Sequence, residues 1–287
     1  MNNPSEYEYL GSRGHQPLTG RASSSPREQS AGHRATIMQM LRAEPVGQRK
    51  GIIGVMGAGE CHDLDLPVLL DRYHEIHLFD LDTAALDRAV ESQGVPAHPR
   101  IRRYGGTDVS GIHDLLGELT TSADDPTVGS LVEAARQYRL ASHERFDVVV
   151  SANLLPELVA RSIQCLGSEH PGLAELAQCV VQSHIEMLLD RTVEGGQALL
   201  VTELANSRSV PELLAAPADL GPLVRLARDR GGLHPGCNPA GIEQLMRHRS
   251  ALGEEIRQVD VSPLWIRHSG DQRGLYLAWR MIRKTAG

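Results

Sequence analysis

The chain has 287 residues, of which 41% are hydrophobic and 23% charged. These fractions are ordinary for a globular protein, and the length favours one α/β domain with a tail over two small domains. The formal net charge of −7 argues against broad, sequence-independent binding to nucleic acid, because such binding needs an electropositive surface. No apolar run reaches the roughly 18 residues that a membrane-spanning helix requires, so we expect no membrane partner.

The cysteines and the N-terminus indicate the compartment. The four cysteines are scattered and form no C-x-x-C pair, so their spacing predicts neither a disulfide framework nor a zinc site. They are Cys61, Cys165, Cys179 and Cys237. The adjacent His62 and Asp63 do not change this, because three consecutive residues cannot easily converge on one metal ion. The first residues lack the apolar core of a secretory signal, and we therefore expect a cytoplasmic protein without a metal site.

The first 34 residues are rich in Ser, Gly, Pro and Arg and show almost no apolar periodicity. Such a segment cannot bury enough apolar surface to offset the entropy that is lost on ordering. We predict a disordered tail over residues 1–34 and a folded domain over residues 35–287. The domain should open with a short amphipathic helix at Ala35–Ala43, which ends before Pro45 because proline disfavours helical geometry at the preceding residue.

From Lys50 onward, short apolar runs alternate with helical stretches, which is typical of a parallel sheet with crossover helices. The first strand is predicted at Gly51–Met56 and the clearest one at Phe146–Ser151. The other predicted strands are Ile76–Asp80, Ile101–Tyr104 and Gln197–Leu204. The predicted helices are Leu64–Tyr73, Thr83–Gln93, Ile112–Leu119, Val128–Tyr138, Leu173–Thr192 and one that opens at Asn238-Pro239.

The chain closes with two strand-like runs, Ile256–Ile266 and Leu275–Ile282, which only eight residues separate. That gap is too short for a helical crossover, so the two strands must pair antiparallel. The predicted architecture is therefore a doubly wound, mostly parallel α/β sheet with one reversed strand and helices on both faces.

A glycine turn, Gly57-Ala58-Gly59, follows the first predicted strand. Glycines let the backbone turn tightly and approach a ligand closely, and ligands of doubly wound sheets bind beyond the carboxyl ends of the strands. About 20 residues later, Asp80 ends the second strand, where a carboxylate can accept hydrogen bonds from ribose hydroxyls. This pattern predicts a nucleoside-containing ligand, but it does not separate a dinucleotide from S-adenosylmethionine.

Two features of the turn favour S-adenosylmethionine. His62 stands where the third glycine of a dinucleotide motif would be, and Glu60 and Asp63 lie where a pyrophosphate would rest on the helix N-terminus. Two carboxylates would repel a pyrophosphate, whereas the sulfonium and ammonium groups of S-adenosylmethionine are cationic. The alternative is a plain tight turn with acidic surface residues.

Four segments carry a resemblance to a known family. They are Gly57-Ala58-Gly59, the strand-terminal Asp80, the strand Phe146–Ser151 and the run Gly195–Val201. In this order and spacing, they look like successive motifs of the class I S-adenosylmethionine-dependent methyltransferases, over about residues 50–285. The resemblance implies a Rossmann-like domain with a seven-stranded sheet of order 3-2-1-4-5-7-6, S-adenosylmethionine as cofactor, and methyl transfer as the activity.

The resemblance also implies roles for single residues. Gly57, Ala58 and Gly59, with the neighbouring Glu60, would lie against the methionine part of the cofactor; Asp80 would hold the ribose, Leu81 would contact the adenine ring, Asp108 would bond the adenine amino group, and Asn153 would lie near the transferring methyl. The segment Ser151–Pro156 departs from the Asn/Asp-Pro-Pro-aromatic motif of amino-methylating DNA enzymes. That departure puts a base-flipping role in doubt.

Residues for the acceptor are harder to predict, because transfer from an activated sulfonium can depend largely on positioning and needs no catalytic signature. Glu203 ends the fifth strand and could orient a hydroxyl or an amine, or could serve as a cap. His234 and Asn238 lie in a Gly/Pro-rich loop, where Asn238 also suits a helix cap, and Trp265 could stack on a flat substrate or belong to the core. The region 108–143 and the segment 207–238 would cover the substrate, which we expect to be a small molecule.

Two other functions are compatible with the sequence. The first is a nicotinamide-dependent oxidoreductase built on the same strand–glycine–helix unit. The second is a non-catalytic member of the fold that binds a cofactor or a protein partner. The sequence predicts neither the acceptor nor the oligomeric state.

Overall fold

One mixed sheet of eight strands organises the protein. The computed structural model describes residues 25–41, 51–119, 128–138, 140, 144–215, 217–248 and 255–285. The strands are β1 (Ile52–Met56), β2 (Glu75–Phe79), β3 (Ile101–Tyr104), β4 (Phe146–Ala152), β5 (Thr192–Asn206), β6 (Ile256–Val261), β7 (Trp265–Ser269) and β8 (Gln272–Arg283). Their order is β3-β2-β1-β4-β5-β8-β6, and β7 pairs with β8.

The sheet confirms the predicted order and the reversed strand. β1 to β5 run parallel, and β8 lies antiparallel between β5 and β6. The predicted run Ile256–Ile266 is divided, because Pro263 has no N–H group for the ladder. β6 pairs with one half of β8 (Val261 opposite Trp279) and β7 with the other (Trp265 opposite Tyr276), so the two short strands share one edge of β8.

Helices cover both faces of the sheet, as predicted. They are α1 (Pro26–Gln29), α2 (Ala31–Met40), α3 (Leu66–Arg72), α4 (Thr83–Ser92), α5 (His113–Leu119), α6 (Val128–Gln137), α7 (Leu155–Leu166), α8 (Leu173–Asp190), α9 (Gly221–Asp229) and α10 (Pro239–His248), with a 3-10 helix at Pro211–Ala215. Helices α2, α3 and α4 share one apolar core with the sheet, and α5 to α8 and α10 share the other. Within the described ranges, no helix is long and apolar enough to cross a membrane.

The N-terminal segment differs from the prediction. The helix expected at Ala35–Ala43 begins at Ala31, and α1 precedes it, so the folded part of the chain begins before residue 35. Ile37 is fully buried, and the polar His33 is also buried. The polar composition indicated disorder, but tertiary contacts supply the partners of these side chains. Residues 1–24 and the end of the predicted helix lie outside the described residues.

Local signals placed several helix boundaries correctly. The Asp82 carboxylate caps α4 by accepting a hydrogen bond from Ala85 N at 3.1 Å, and Asn238 precedes α10 with its amide oxygen 3.2 Å from Ala240 N. The sequence did not predict α7 or α9. β5 begins at Thr192, the residue at which the preceding helix was expected to end, and so starts earlier than the predicted Gln197. Its pairing with β4 is irregular there, between Phe146 and Val148.

The segment 207–238 packs over the carboxyl end of β5. It brings its own small apolar cluster to Leu275 of β8, formed by Val210, Leu213, Leu223 and Ala227. This cluster anchors α9 and the 3-10 helix to the sheet. The substrate cover predicted for this segment stays a prediction.

Candidate functional site

The turn after β1 is fixed to the end of β2. Gly57 and Gly59 have φ angles of +66° and +50°, in the left-handed region that favours glycine. A Cβ atom at Gly57 would lie 2.6 Å from Leu154 Cδ2, so this position also requires glycine for close packing. Ala58 N donates to Phe79 O at 3.0 Å, and Gly59 N donates to Asp80 Oδ2 at 2.7 Å. The turn and the second strand therefore form one rigid edge.

Asp80 lies at the centre of this edge. One carboxylate oxygen accepts from Gly59 N, and the other accepts from Asp82 N at 2.8 Å. The backbone N–H of Asp80 donates to Tyr104 O, and the carbonyl oxygen of Asp80 accepts from Thr107 N. Because each carboxylate oxygen has a second lone pair, the fixed carboxylate can still accept hydrogen bonds from a ligand.

Two adjoining cavities open at this edge of the sheet, with volumes of about 380 and 740 Å³. They share Gly57, Asp80, Leu154 and Glu157. The smaller one is lined further by Leu81, Thr107, Asp108, Val109 and Ser110, and the larger one by Ala58, Gly59, Glu60, Asp63, Arg88, Asn153 and Arg267. All eight residues predicted to bind the cofactor therefore line the two cavities, although their individual roles stay predictions.

In the smaller cavity, Leu81 is 44% exposed and presents an apolar surface. Asp108 organises the opposite wall. Its carboxylate accepts from Ser110 N at 2.7 Å and from His113 N at 2.9 Å, which fixes the turn that leads into α5. Asp108 therefore has a structural task in addition to the adenine contact predicted for it.

In the larger cavity, Asn153 follows β4 and has a φ angle of +62°. Its backbone N–H donates to Val201 O at 2.8 Å. The side-chain Oδ1 is buried and accepts no hydrogen bond from the part of the chain that the structure describes. A buried acceptor without a donor is uncommon in folded proteins and suits a site that a ligand completes.

The acidic residues of the turn are paired with arginines, so their repulsion of a pyrophosphate is weaker than two carboxylates alone would give. Glu60 Oε1 lies 3.0 Å from Arg88 Nε. Asp63 Oδ1 lies 3.2 Å from Arg267 Nη1 and 3.6 Å from His33 Nε2. These pairings reduce the electrostatic preference for a cation.

The N-terminus of α3 gives a stronger reason against a dinucleotide. In dinucleotide sites, the pyrophosphate is held by unpaired N–H groups at this helix end. Here Val68 N donates to Asp65 Oδ1 at 3.1 Å, Leu66 N donates to Gln93 Oε1 at 2.8 Å, and Pro67 has no N–H group. The donors that a pyrophosphate needs are occupied. Asp65 is the N-cap residue of α3, so the helix begins at Leu66 and not at the predicted Leu64.

Arg267 of β7 is the main site residue that the sequence did not predict. It lines the larger cavity, and its Nη2 donates to Ser30 Oγ at 2.7 Å. Because β7 lies on the opposite edge of β8 from β5, its proximity to the glycine turn depends on the whole sheet order. No local pattern around residue 267 carries that information.

The four predicted acceptor-side residues line neither of the two cavities. Glu203 accepts from Tyr276 Oη at 2.7 Å and lies 3.3 Å from His234 Nε2, so these side chains form one hydrogen-bonded group. Burial, reinforced by the charge of Glu203, holds the pKa of Tyr276 well above its usual value of 10. Asn238 caps α10 and lines a separate groove of about 800 Å³.

Trp265 does not present a free stacking surface. Its Nε1 donates to His33 Nδ1 at 3.0 Å, and its ring lies 5.8 Å from that of Tyr276. Burial lowers the pKa of His33 to about 4, which keeps the imidazole neutral near pH 7. Trp265 thus joins β7 to the N-terminal helix α2, which accounts for it without a substrate.

His184 of α8 belongs to the interior. Its Nε2 lies 2.8 Å from Ser151 Oγ of β4. Burial lowers the pKa of His184 to about 4. The neutral ring connects α8 to the sheet.

The strand order, with the antiparallel β8 between β5 and β6, is that of the class I methyltransferase fold. No protein-family model and no curated protein matches the chain. Solved structures do match it. An N-methyltransferase, NodS from Bradyrhizobium japonicum WM9, is 11% identical, with 90% of this chain and 98% of that chain covered and a TM-score of 0.45.

Two further structures have similar values. Magnesium protoporphyrin IX methyltransferase from Synechocystis PCC 6803, with bound S-adenosylhomocysteine, is 12% identical over 93% of this chain and 90% of that chain, with a TM-score of 0.44. An O-methyltransferase family protein from Burkholderia thailandensis is 14% identical over 91% of this chain, with a TM-score of 0.44. This chain spans only 59% of the latter protein. Such low values carry no assignment of activity, and the fold follows from the strand order itself.

Proposed function

We propose that this protein binds S-adenosylmethionine in the two adjoining cavities and transfers its methyl group to a small-molecule acceptor. The observation that supports this most is the sequence of chemical groups along the cleft. Asp80 lines both cavities, Leu81 and Asp108 line one of them, and Gly59 and Asn153 line the other. Adenine, ribose and methionine follow one another in the same order in the cofactor.

The side chains present fit this ligand. The ribose hydroxyls would donate to the remaining lone pairs of the Asp80 carboxylate, and the adenine ring would cover the exposed Leu81. Asn153 Oδ1, which has no hydrogen-bond partner among the described residues, would accept a hydrogen bond from the methionine ammonium. The helix end at which dinucleotide sites hold a pyrophosphate has no free donor in the first turn of α3.

The cofactor supplies a methyl group that is already activated by the sulfonium. The protein's task is then to hold the acceptor atom in line with that methyl, which can provide much of the rate acceleration. Glu203 and His234 are our candidates on the acceptor side. Glu203 lies near the carboxyl end of β5 and His234 in the segment 207–238, and the two form a hydrogen-bonded pair that could orient a hydroxyl or an amine.

Asp80→Ala should abolish the binding of S-adenosylhomocysteine, because it removes the carboxylate common to both cavities. Isothermal titration would measure this, with circular dichroism to check the fold. Asp87→Ala is the matched control, since Asp87 is an exposed carboxylate of α4 that pairs with Arg103. We expect a loss of at least about 100-fold for Asp80→Ala, in line with losing charge-assisted hydrogen bonds. Unchanged affinity of a folded Asp80→Ala variant would mean that the site is misassigned.

Methyl transfer itself can be followed with S-adenosylmethionine that carries a labelled methyl group. Incubated with a cell extract, the wild-type protein should move label into the small-molecule fraction, and Asp80→Ala should not. Label in protein or nucleic acid would contradict the proposed acceptor class.

A further inference from the structure

A group of buried polar atoms beside the glycine turn lacks hydrogen-bond partners among the described residues. They are Asp63 Oδ1, Arg267 Nε and His33 Nε2, and Asn153 Oδ1 lies in the same cavity wall as the first two. Asp63 is within ion-pair distance of Arg267 and His33, but those contacts lack hydrogen-bond geometry. Unsatisfied donors and acceptors next to a cavity indicate polar groups of a ligand.

Arg267 is the buried cation of this group. Its side chain is 15% exposed, with Nη2 held by Ser30 and Nη1 near Asp63. The other arginine that lines the cavity, Arg88, is 50% exposed and paired with Glu60. Since solvent screens an exposed charge far more than a buried one, Arg267 is the cation that an anionic ligand group would meet in a low-dielectric setting.

We infer that Arg267 binds the carboxylate of an α-amino acid group, which in the cofactor is the methionyl end. This rests on the proposed function. Such a group is a zwitterion, and the cavity wall offers complementary atoms: the unused Nε–H of Arg267 for the carboxylate, and Asn153 Oδ1 and Asp63 Oδ1 for the ammonium. A guanidinium presents parallel N–H groups that match a carboxylate with two hydrogen bonds.

Binding of a zwitterion also accounts for the arginine that pairs with Asp63 in the acidic turn. A wall of carboxylates alone would suit the ammonium but repel the carboxylate of the same ligand group. The ion pair of Asp63 with Arg267 places one charge of each sign next to the cavity. Recognition of a zwitterion needs both.

Two nucleosides that differ in this group provide the test. S-adenosylhomocysteine has the amino acid end, and 5′-methylthioadenosine lacks it. In isothermal titration, Arg267→Gln should weaken the binding of S-adenosylhomocysteine by about 10- to 100-fold, as expected for the loss of a charge-assisted pair. It should change the affinity for 5′-methylthioadenosine by less than about twofold. Arg280→Gln on β8, where Arg280 pairs with Asp260, is the charge-matched control and should change neither.

Arg267→Lys keeps the charge and is the second variant, should Arg267→Gln fail to fold. It should weaken the binding of S-adenosylhomocysteine only several-fold, less than Arg267→Gln does, because an ammonium keeps the charge but cannot form the two parallel hydrogen bonds. The affinity for 5′-methylthioadenosine should not change. If the binding of both nucleosides weakened equally, Arg267 would only support the glycine turn. No weakening would mean that the carboxylate binds elsewhere. Either result overturns only the inference about Arg267. If the wild-type protein binds neither nucleoside, the proposed function is overturned as well.

Discussion

At the carboxyl end of β4, Asn153 combines a left-handed backbone with a buried amide oxygen that accepts no hydrogen bond from the described part of the chain. Asparagine tolerates this conformation better than other residues that have a Cβ atom. The backbone strain and the unsatisfied oxygen both cost stability, and both are understandable at a position that a ligand completes. The stability of the folded chain and its affinity for a ligand should therefore respond differently to changes at this residue.

Replacing Asn153 separates the two effects. Asn153→Gly relieves the backbone strain, whereas Asn153→Ala increases it, so the alanine variant should unfold about 1 kcal/mol more easily than the glycine variant. Both variants should bind S-adenosylhomocysteine more weakly than the wild type. Urea unfolding and isothermal titration measure the two quantities. Equal stability of the two variants would show that the positive φ angle is not a constraint at this position.

At the scale of elements, the N-terminal helices hold the glycine turn from outside. Arg27 Nη1 donates to Leu64 O at 3.0 Å, and Arg34 Nη1 donates to His62 O at 3.0 Å. One turn after Arg34 in α2, Ile37 is buried against the core formed by α3 and the sheet. Helix α2 is therefore an integral element of the domain, although its sequence is polar.

Ile37→Ala tests this role of α2. Removing a fully buried isoleucine side chain should lower the free energy of unfolding by about 2–4 kcal/mol. Gln39→Ala, at an exposed position of the same helix, should change it by less than about 0.5 kcal/mol. Urea denaturation of the two variants provides the comparison. A cost for Ile37→Ala as small as that for Gln39→Ala would mean that α2 is not packed on the sheet.

The elements differ in how far the sequence predicts them. The central strands β1 and β4 are short apolar runs because both of their faces are buried, and such runs can be recognised without a structure. The positions of the glycine turn and of Asp80 in the cavity walls were predictable for the same reason, since each directly follows such a strand. The earlier start of α2 and the position of Arg267 were not, because they depend on contacts between segments more than 200 residues apart, such as that of Ser30 with Arg267.

Two buried histidines make the free energy of unfolding of the whole domain depend on pH. Burial lowers the pKa of both His33 and His184 to about 4, whereas in the unfolded chain each has its ordinary value of about 6.5. Between these values the unfolded chain binds more protons than the folded protein. The contribution of the two neutral histidines to the free energy of unfolding is therefore fully present above about pH 6.5. It is lost as the pH falls towards 4, by up to about 1.4 kcal/mol per pH unit for each histidine.

His184→Gln should make this dependence shallower, because one of the two titrating groups is removed while an amide can still reach Ser151. The free energy of unfolding, measured in urea between pH 4 and pH 6.5, gives the slope. His74→Gln, at an exposed position, is the control and should leave the slope unchanged, because that side chain contacts water in both states. A slope for His184→Gln identical to that of the wild type would contradict a buried, neutral His184.

We propose that the cleft formed by the glycine turn, Asp80 and Asn153 is a site for S-adenosylmethionine and not for a dinucleotide. Titration of the wild-type protein with S-adenosylhomocysteine and, separately, with NADH distinguishes the two ligands and so tests this claim. We predict saturable binding of S-adenosylhomocysteine at one site per chain and no saturable binding of NADH. Saturable binding of NADH, with no heat from S-adenosylhomocysteine, would contradict the claim.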